Sequence, residues 1–300
     1  METILYLLCR LLLALTAVVP LRLVAWIGRR GGELAWLLDK RHRNMALENL
    51  AAAFPEKSEH EIRQLAKVHF QRLGETYACI LKTSSMDADE IRRVLSMDSF
   101  EEIEQWMADN PDGKIILAIG HFGQFELFLW LKLAVPSAKN WITTYRGLRQ
   151  EKLNKLLGQL RGKSGAQLFD RRTEAAELKQ ALNEPSTVLG LLADQHGGIN
   201  GLRMPVMGRE ASVNPAPAVM AKRYRCRLFP AACFRTAPGK WRLELGPEIA
   251  LRENDKLRDT AAITADLVAA QDDFIRADPA NWFWVHNRWK DVRPEAERET

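Results

Sequence analysis

The chain has 300 residues, 47% of them apolar and 27% charged, with a formal net charge of +5 and a sequence pI near 9.0. That length holds one large α/β domain with a helical prefix, and no internal repeat or low-complexity linker asks for a second domain. Cys9, Cys79, Cys226 and Cys233 show no paired metal-ligand spacing, which excludes a zinc-type site and reads as reduced, structural thiols; the basic balance suits anionic partners without choosing between lipid and nucleic acid.

Residues 4–27 are almost entirely apolar, broken by Arg10, Pro20 and Arg22 and followed by Arg29 and Arg30. A membrane-crossing helix needs about 20 apolar residues and no central charge, so the uninterrupted stretch 11–19 is too short to span alone. Arg10 also interrupts the apolar region that a cleavable signal requires. The segment predicts an uncleaved anchor that lies in or dips into the cytoplasmic leaflet, with Arg22, Arg29, Arg30, Lys40, Arg41 and Arg43 near the headgroups. A buried hydrophobic hairpin is the competing reading. Helical spacing follows at 44–50 and at 58–82, the latter opened by Ser58 and Glu61 in a capping-box pattern, and two short helices are predicted at 87–95 and 100–107.

The apolar run 115–119, bounded by Gly113 and Gly120, predicts a parallel strand covered on both faces, with a helix over 127–133. His121 then sits at the carboxyl end of a strand, where open α/β sheets collect ligands. Glu126, five residues on, does not share a helical face with it. If His121 ends the loop and Glu126 opens the helix, the carboxylate can accept the Nδ1 proton, leaving Nε2 as a base. No serine or cysteine nucleophile accompanies the pair, so direct attack by a substrate hydroxyl is the simpler chemistry. A structural histidine beside a chance carboxylate is the alternative.

Further strands are predicted at 141–145, ending at Arg146, at 166–169, ending at Asp170-Arg171-Arg172, and at 186–193, ending at Asp194-Gln195-His196. A basic helix at about 149–161 and another running through Leu182 separate them. The repeated strand, polar cluster and helix predict βαβ units and an α/β fold with a mainly parallel or mixed central sheet flanked by helices. His121, Glu126, Arg146, Asp170, Arg171, Asp194 and Gln195 then converge on one rim. An arginine there stabilises an oxyanion or grips a phosphate, Arg146 and Arg171 being the candidates; the alternative for Arg171 and Asp194 is helix capping or ion pairing.

Between 202 and 242 nine basic residues face Glu210 alone, on a predicted helix at 215–224 and strands at 227–234 and 241–245. Such a surface suits an anionic headgroup or an acidic carrier protein, or is an ordinary solvated face. No nucleic-acid motif accompanies the charge. In the tail, Trp282, Phe283, Trp284 and Trp289 with His286, Arg288 and Lys290 form an interfacial lip or, the favoured reading, pack the last segment onto the core. His196 has no second ligand at metal spacing and reads as a loop residue.

These residues resemble the lipid A biosynthesis acyltransferase family, the late lauroyl and myristoyl transferases of the lysophospholipid acyltransferase-like superfamily. The resemblance covers most of the chain. It rests on the apolar amino terminus, the His121–Glu126 block, Thr144-Tyr145-Arg146, Phe169-Asp170-Arg171, Leu192-Ala193-Asp194-Gln195 and the closing stretch 282–290. It departs from the family at Gly147, where proline is usual, at Asn287-Arg288, where two arginines are usual, and in the prolines of 212–218.

The resemblance implies catalytic His121 and Glu126, Asp194, Gln195, His286 and Arg288 against substrate, and neither metal nor organic cofactor. It implies an acyl carrier protein thioester as donor, a membrane glycolipid hydroxyl as acceptor, most simply that of a lipid A precursor, no nucleic acid, and the cytoplasmic face of the bacterial inner membrane. Alternative acceptors are a lysophospholipid, a phosphoinositol mannoside or an ornithine lipid; a non-enzymatic membrane lipid-binding protein is the other class. The implied organisation is an anchor over 1–40 and one acyltransferase domain over 41–300, with a helical prefix at 41–110.

Overall fold

A computed structural model describes residues 2–290; positions 291–300, the end of the expected acyltransferase domain, lie outside the described residues. The chain opens with six helices, α1 (Glu2–Val18), α2 (Leu21–Leu38), α3 (Lys40–Ala53), α4 (Glu59–Thr83), α5 (Ala88–Arg92) and α6 (Glu101–Asp109), with a short strand β1 (Leu95–Ser96) before the last. The βαβ part follows as β2 (Lys114–Ile119), a 3₁₀ helix (Phe125–Leu133), β3 (Asn140–Tyr145), α7 (Glu151–Gly162), β4 (Gln167–Asp170), α8 (Ala175–Ala181) and β5 (Thr187–Leu192). A hairpin of β6 (Leu202–Val206) and β7 (Arg209–Val213) leads to α9 (Ala216–Tyr224), β8 (Arg227–Ala237), β9 (Lys240–Leu245), the small pair β10 (Arg252–Glu253) and β11 (Lys256–Leu257), and α10 (Thr260–Ala277).

The main sheet runs β1-β9-β8-β2-β5-β3-β4, parallel throughout except where β8 and β9 pair antiparallel. The expected mainly parallel α/β sheet is therefore present. Ile115 to Ile119 of β2 are all buried because β2 is central and covered on both faces, which is why a continuous apolar run rather than alternation encodes it. The capping box at Ser58 is also present: the Ser58 hydroxyl accepts from the Glu61 amide, and Glu61 accepts from the Ser58 amide.

One expectation needs correction, and two elements had no expectation. The predicted α-helix at 127–133 is a 3₁₀ helix; its buried pairs Leu127/Trp130 and Phe128/Leu131 are three apart, the spacing that this tighter helix stacks in register. The stretch 202–213 forms a hairpin turning through Met207 (φ 48°) and Gly208 (φ 78°). Helix α10, which packs against β8 and α9, was not anticipated; Asp259 caps it by accepting from the Ala261 amide.

The apolar amino terminus is two helices with different surroundings. In α1 only Leu13 is buried, while Leu5, Leu8, Leu12 and Leu15 are exposed. Helix α2 lies along α4 at backbone contact. A Cβ on Gly32 would stand 2.1 Å from the Phe70 carbonyl oxygen, and one on Gly74 would stand 2.2 Å from that of Gly28. Only glycine permits that approach. The outer face of α2 still exposes Leu23, Trp26, Ile27, Leu34, Leu37 and Leu38, so this is not the buried hairpin of the competing reading. No helix among the described residues is long and apolar enough to cross a membrane.

The α2–α4 contact frames a buried ion cluster. Glu75, 1% exposed, accepts two hydrogen bonds from Arg235 Nε at 3.0 Å and one from the Gly239 amide at 3.0 Å, with Arg29 at 3.5 Å. It ties α4 to the β8–β9 hairpin and to α2 at one point.

Candidate active site

β2 and β5 are adjacent and parallel, with Ile119 opposite Leu192. Two residues beyond each lie His121 and Asp194, level with one another at the carboxyl edge of the sheet. Asp194 Oδ1 is 2.6 Å from His121 Nδ1, and Asp194 Oδ2 accepts the His121 backbone N–H at 2.7 Å and the Trp282 indole N–H at 2.8 Å. With Asp194 accepting at Nδ1, the imidazole carries its proton there and presents Nε2 as the free lone pair. Gln195 Nε2 stands 3.4 Å from it. Phe125 and Phe283 hold the ring from its sides, at centroid distances of 4.9 and 6.1 Å.

Burial alone would push the His121 pKa down. The adjacent Asp194 charge and its hydrogen bond, with Glu126 farther off, outweigh that and raise it above the usual 6.5. Asp194 is pushed up by its burial, but the His121 charge and the three hydrogen bonds it receives hold it below the ordinary carboxylate range. The pair is thus an ionised carboxylate that favours the imidazolium.

Glu126 does not occupy the expected place. The chain leaves His121 through Gly123, in the left-handed region at φ 57°, and its amide donates to the Asn281 carbonyl. Glu126 opens the 3₁₀ helix pointing at α7, where Arg161 grips its carboxylate through Nε at 3.0 Å and through Nη2. The carboxylate on Nδ1 comes from 73 residues away instead. The backbone amides of His121 and Gly123 are already engaged, by Asp194 and by the Asn281 carbonyl.

His121, Glu126, Arg161, Arg146, Arg171 and Gln195 all border one cavity of about 460 Å³. Arg146 and Arg171 are exposed on its rim, and among the described residues neither has an ion-pair partner. Its interior is apolar, formed by Ile119, Phe128, Leu129, Trp141, Leu157 and Leu168. His121 also borders a second cavity of about 40 Å³ on the side of His69, Thr76 and Phe283.

His286 and Arg288 do not reach either cavity. Arg288 is 3% exposed and donates to the Ser212 carbonyl at 2.6 Å, which makes it a strut between the tail and β7 rather than a substrate ligand. The His286 carbonyl is tied by Asn49 at 3.0 Å, and burial lowers the pKa of its ring. The aromatic tail packs inward: Trp282 and Trp284 are buried, their centroids 4.7 Å apart, and Trp289 lies within 6.3 Å of both. His196 lies in the turn after β5, its Nδ1 accepting from the Gly198 amide. Among the described residues no cluster of His, Cys, Asp or Glu is arranged to hold a metal.

Two contributors escape a reading of the sequence. Arg161 resembles any other charge on a basic helix, and Trp282 sits 88 residues from the carboxylate it supports. The signal for Asp194 is present, since Leu192-Ala193-Asp194-Gln195 closes an apolar strand, but its partner depends on β5 lying next to β2.

The model of the bacterial lipid A biosynthesis acyltransferase family matches residues 2–291. No individual curated protein matches the chain.

Proposed function

We propose, for a chain that belongs to the bacterial lipid A biosynthesis acyltransferase family and is therefore an acyltransferase, that it moves a fatty acyl group from an acyl carrier protein thioester to a hydroxyl of a membrane glycolipid, most simply a lipid A precursor. The observation that carries this reading is an imidazole with Asp194 on Nδ1 and its free Nε2 beside a large, apolar-floored cavity with a basic rim. His121 Nε2 takes the proton of the acceptor hydroxyl as that oxygen bonds to the thioester carbonyl carbon. The C–S bond of the tetrahedral intermediate then breaks, and the imidazolium returns its proton to the departing thiolate. Asp194 fixes the tautomer and offsets the imidazolium charge. Glu126 acts through Arg161, holding the guanidinium in the cavity wall. Arg146 and Arg171 meet the oxyanion or a substrate phosphate, and Gln195 orients the acceptor at Nε2.

The membrane side of the proposal rests on α1 and α2. Their exposed leucines form an apolar surface flanked by Arg10, Arg22, Arg29 and Arg30, the composition of an interfacial helix pair at the cytoplasmic leaflet. Helix α1 bridges α4 and α7: Lys82 Nζ donates to the Ala17 carbonyl at 2.5 Å, and the Lys152 amide donates to Glu2 at 2.8 Å. Helix α7, against which α1 rests, also supplies Leu157 and Arg161 to the cavity. Replacing Leu8 and Leu12 together by glutamate is expected to lower the fraction bound to anionic vesicles at least about tenfold, read by sedimentation.

The chemistry is tested by following label from acyl carrier protein thioesters into lipid A precursor, lysophospholipid and ornithine lipid acceptors. Transfer to the lipid A precursor is expected, falling by about 10²–10⁴ in the His121→Ala variant. Transfer only to another lipid overturns the acceptor, and no transfer to any acceptor overturns the reading.

A further inference from the structure

One of the most deeply buried side chains lining the large cavity is an indole, that of Trp141. Strand register places Thr143 opposite Gly190 and Gly190 opposite Leu117, while Trp141, two residues deeper on β3, is level with Val188 and Ile115. The Trp141 side chain nevertheless rises to the Gly190 level: a Cβ on Gly190 would stand 2.9 Å from Trp141 Cη2 and 3.1 Å from Ile119 Cδ1. Gly190 is therefore the recess that lets the ring lie against the sheet. The ring is pinned at its other edge, where Nε1 donates to the Leu129 carbonyl at 3.0 Å. Trp141 is 2% exposed. His121 lies four residues past Leu117 on β2, so the indole lies about 13 Å below the histidine along the strands, at about 3.3 Å per residue.

We infer that Trp141, seated on Gly190 and tethered to Leu129, is the stop that sets the length of acyl chain this protein accepts. The inference rests on the acyl-transfer reading above and assigns the specificity of that site. An acyl carbonyl held at His121 sends its chain down past Thr143, Leu168 and Phe128, and its terminal methyl meets the indole face. A rigid, hydrogen-bonded aromatic makes a sharper stop than flexible aliphatic side chains, because moving it breaks a hydrogen bond inside an apolar wall. A longer chain has to fold back or leave methylenes in water, each worth about fourfold in affinity, or about 0.8 kcal/mol.

Two substitutions act in opposite directions. Trp141→Ala removes the stop and lets longer chains in. Gly190→Ala fills the recess, lifts the ring off the sheet into the cavity and shortens it. Isothermal titration with saturated fatty acids of graded length reads the depth without any transfer step. The wild-type protein is expected to show a length beyond which affinity stops rising. Trp141→Ala moves that length upward, adding about fourfold per newly admitted methylene, and Gly190→Ala moves it downward. If the alanine at 141 prevents folding, Trp141→Leu keeps apolar volume and gives a smaller upward shift. An unchanged length in Trp141→Ala or Trp141→Leu overturns the inference, and so does an upward shift in Gly190→Ala. A protein that shows these shifts yet transfers no acyl group overturns the acyl-transfer reading while leaving Trp141 as the length stop of a lipid-binding cavity.

Discussion

The Asp194→Asn variant is expected to transfer acyl groups about 10³-fold more slowly than the native protein while remaining folded, to be checked by initial rates at saturating donor and by circular dichroism. An asparagine in that place can still accept the His121 backbone N–H, but its side-chain amide offers the imidazole no charge and no assurance of the tautomer that leaves Nε2 bare. The pH profile separates this role from a merely structural one. The reactive form is the neutral imidazole, and the native pair raises the His121 pKa above 6.5, so the acidic limb of the native profile lies above pH 6.5 and the rate falls as pH drops through it. In Asp194→Asn burial is the largest influence left on the ring, and it lowers the pKa. The limb therefore moves to lower pH even though the plateau is far lower. A fall in rate with the limb unmoved would mean that Asp194 only props up the loop.

The largest stability effect is expected away from the site, at Glu75. Truncating it to alanine leaves the mostly buried Arg235 without the carboxylate that its Nε donates to and the Gly239 amide without its acceptor. Removing one partner of a buried pair typically costs about 3–5 kcal/mol. For a chain of this size that corresponds to a fall in melting temperature of roughly 8 °C, readable by calorimetry. The double variant Glu75→Gln with Arg235→Met is expected to recover much of the loss, since the penalty lies in the uncompensated charge rather than in the missing attraction. A single variant within about 1 kcal/mol of the native protein would show that the cluster is better solvated than its burial implies.

What could be read in advance follows from how far apart the cooperating residues lie. Strands β2 and β5 are nearly continuous apolar runs and β3 and β4 short β-branched or aromatic ones, each ended by a polar cluster, so a local window suffices, and His121, Arg146, Arg171 and Gln195 fall on one rim because parallel strands end on the same side. Helix α4 carries its own start signal at Ser58. The pairing at His121 is different. Proximity of five residues made Glu126 the natural partner of His121, yet the left-handed Gly123 and the 3₁₀ winding that follows aim Glu126 at α7. The partner that reaches Nδ1 is adjacent only once β5 has paired with β2. Arg288 misled for a related reason: a charged residue in a tail reads as a surface ligand until burial and the Ser212 carbonyl make it internal. The stop formed by Trp141 needs the three-strand register and the missing side chain at Gly190, neither of which a linear pattern contains.

The tail supplies a constraint of timing. Trp282 gives Asp194 one of its three hydrogen bonds and pairs with Phe122, Asn281 accepts from the Gly123 amide, and Asn49 fastens the carbonyls of Trp284 and His286 to α3. During synthesis α1 and α2 emerge first, followed by the strands bearing His121 and Asp194, with the clasp around them later. A ribosome-bound chain halted before residue 282 can therefore have built much of its sheet, yet hold an unbraced aspartate. The brace on Asp194 arrives only after every strand of the sheet has been made.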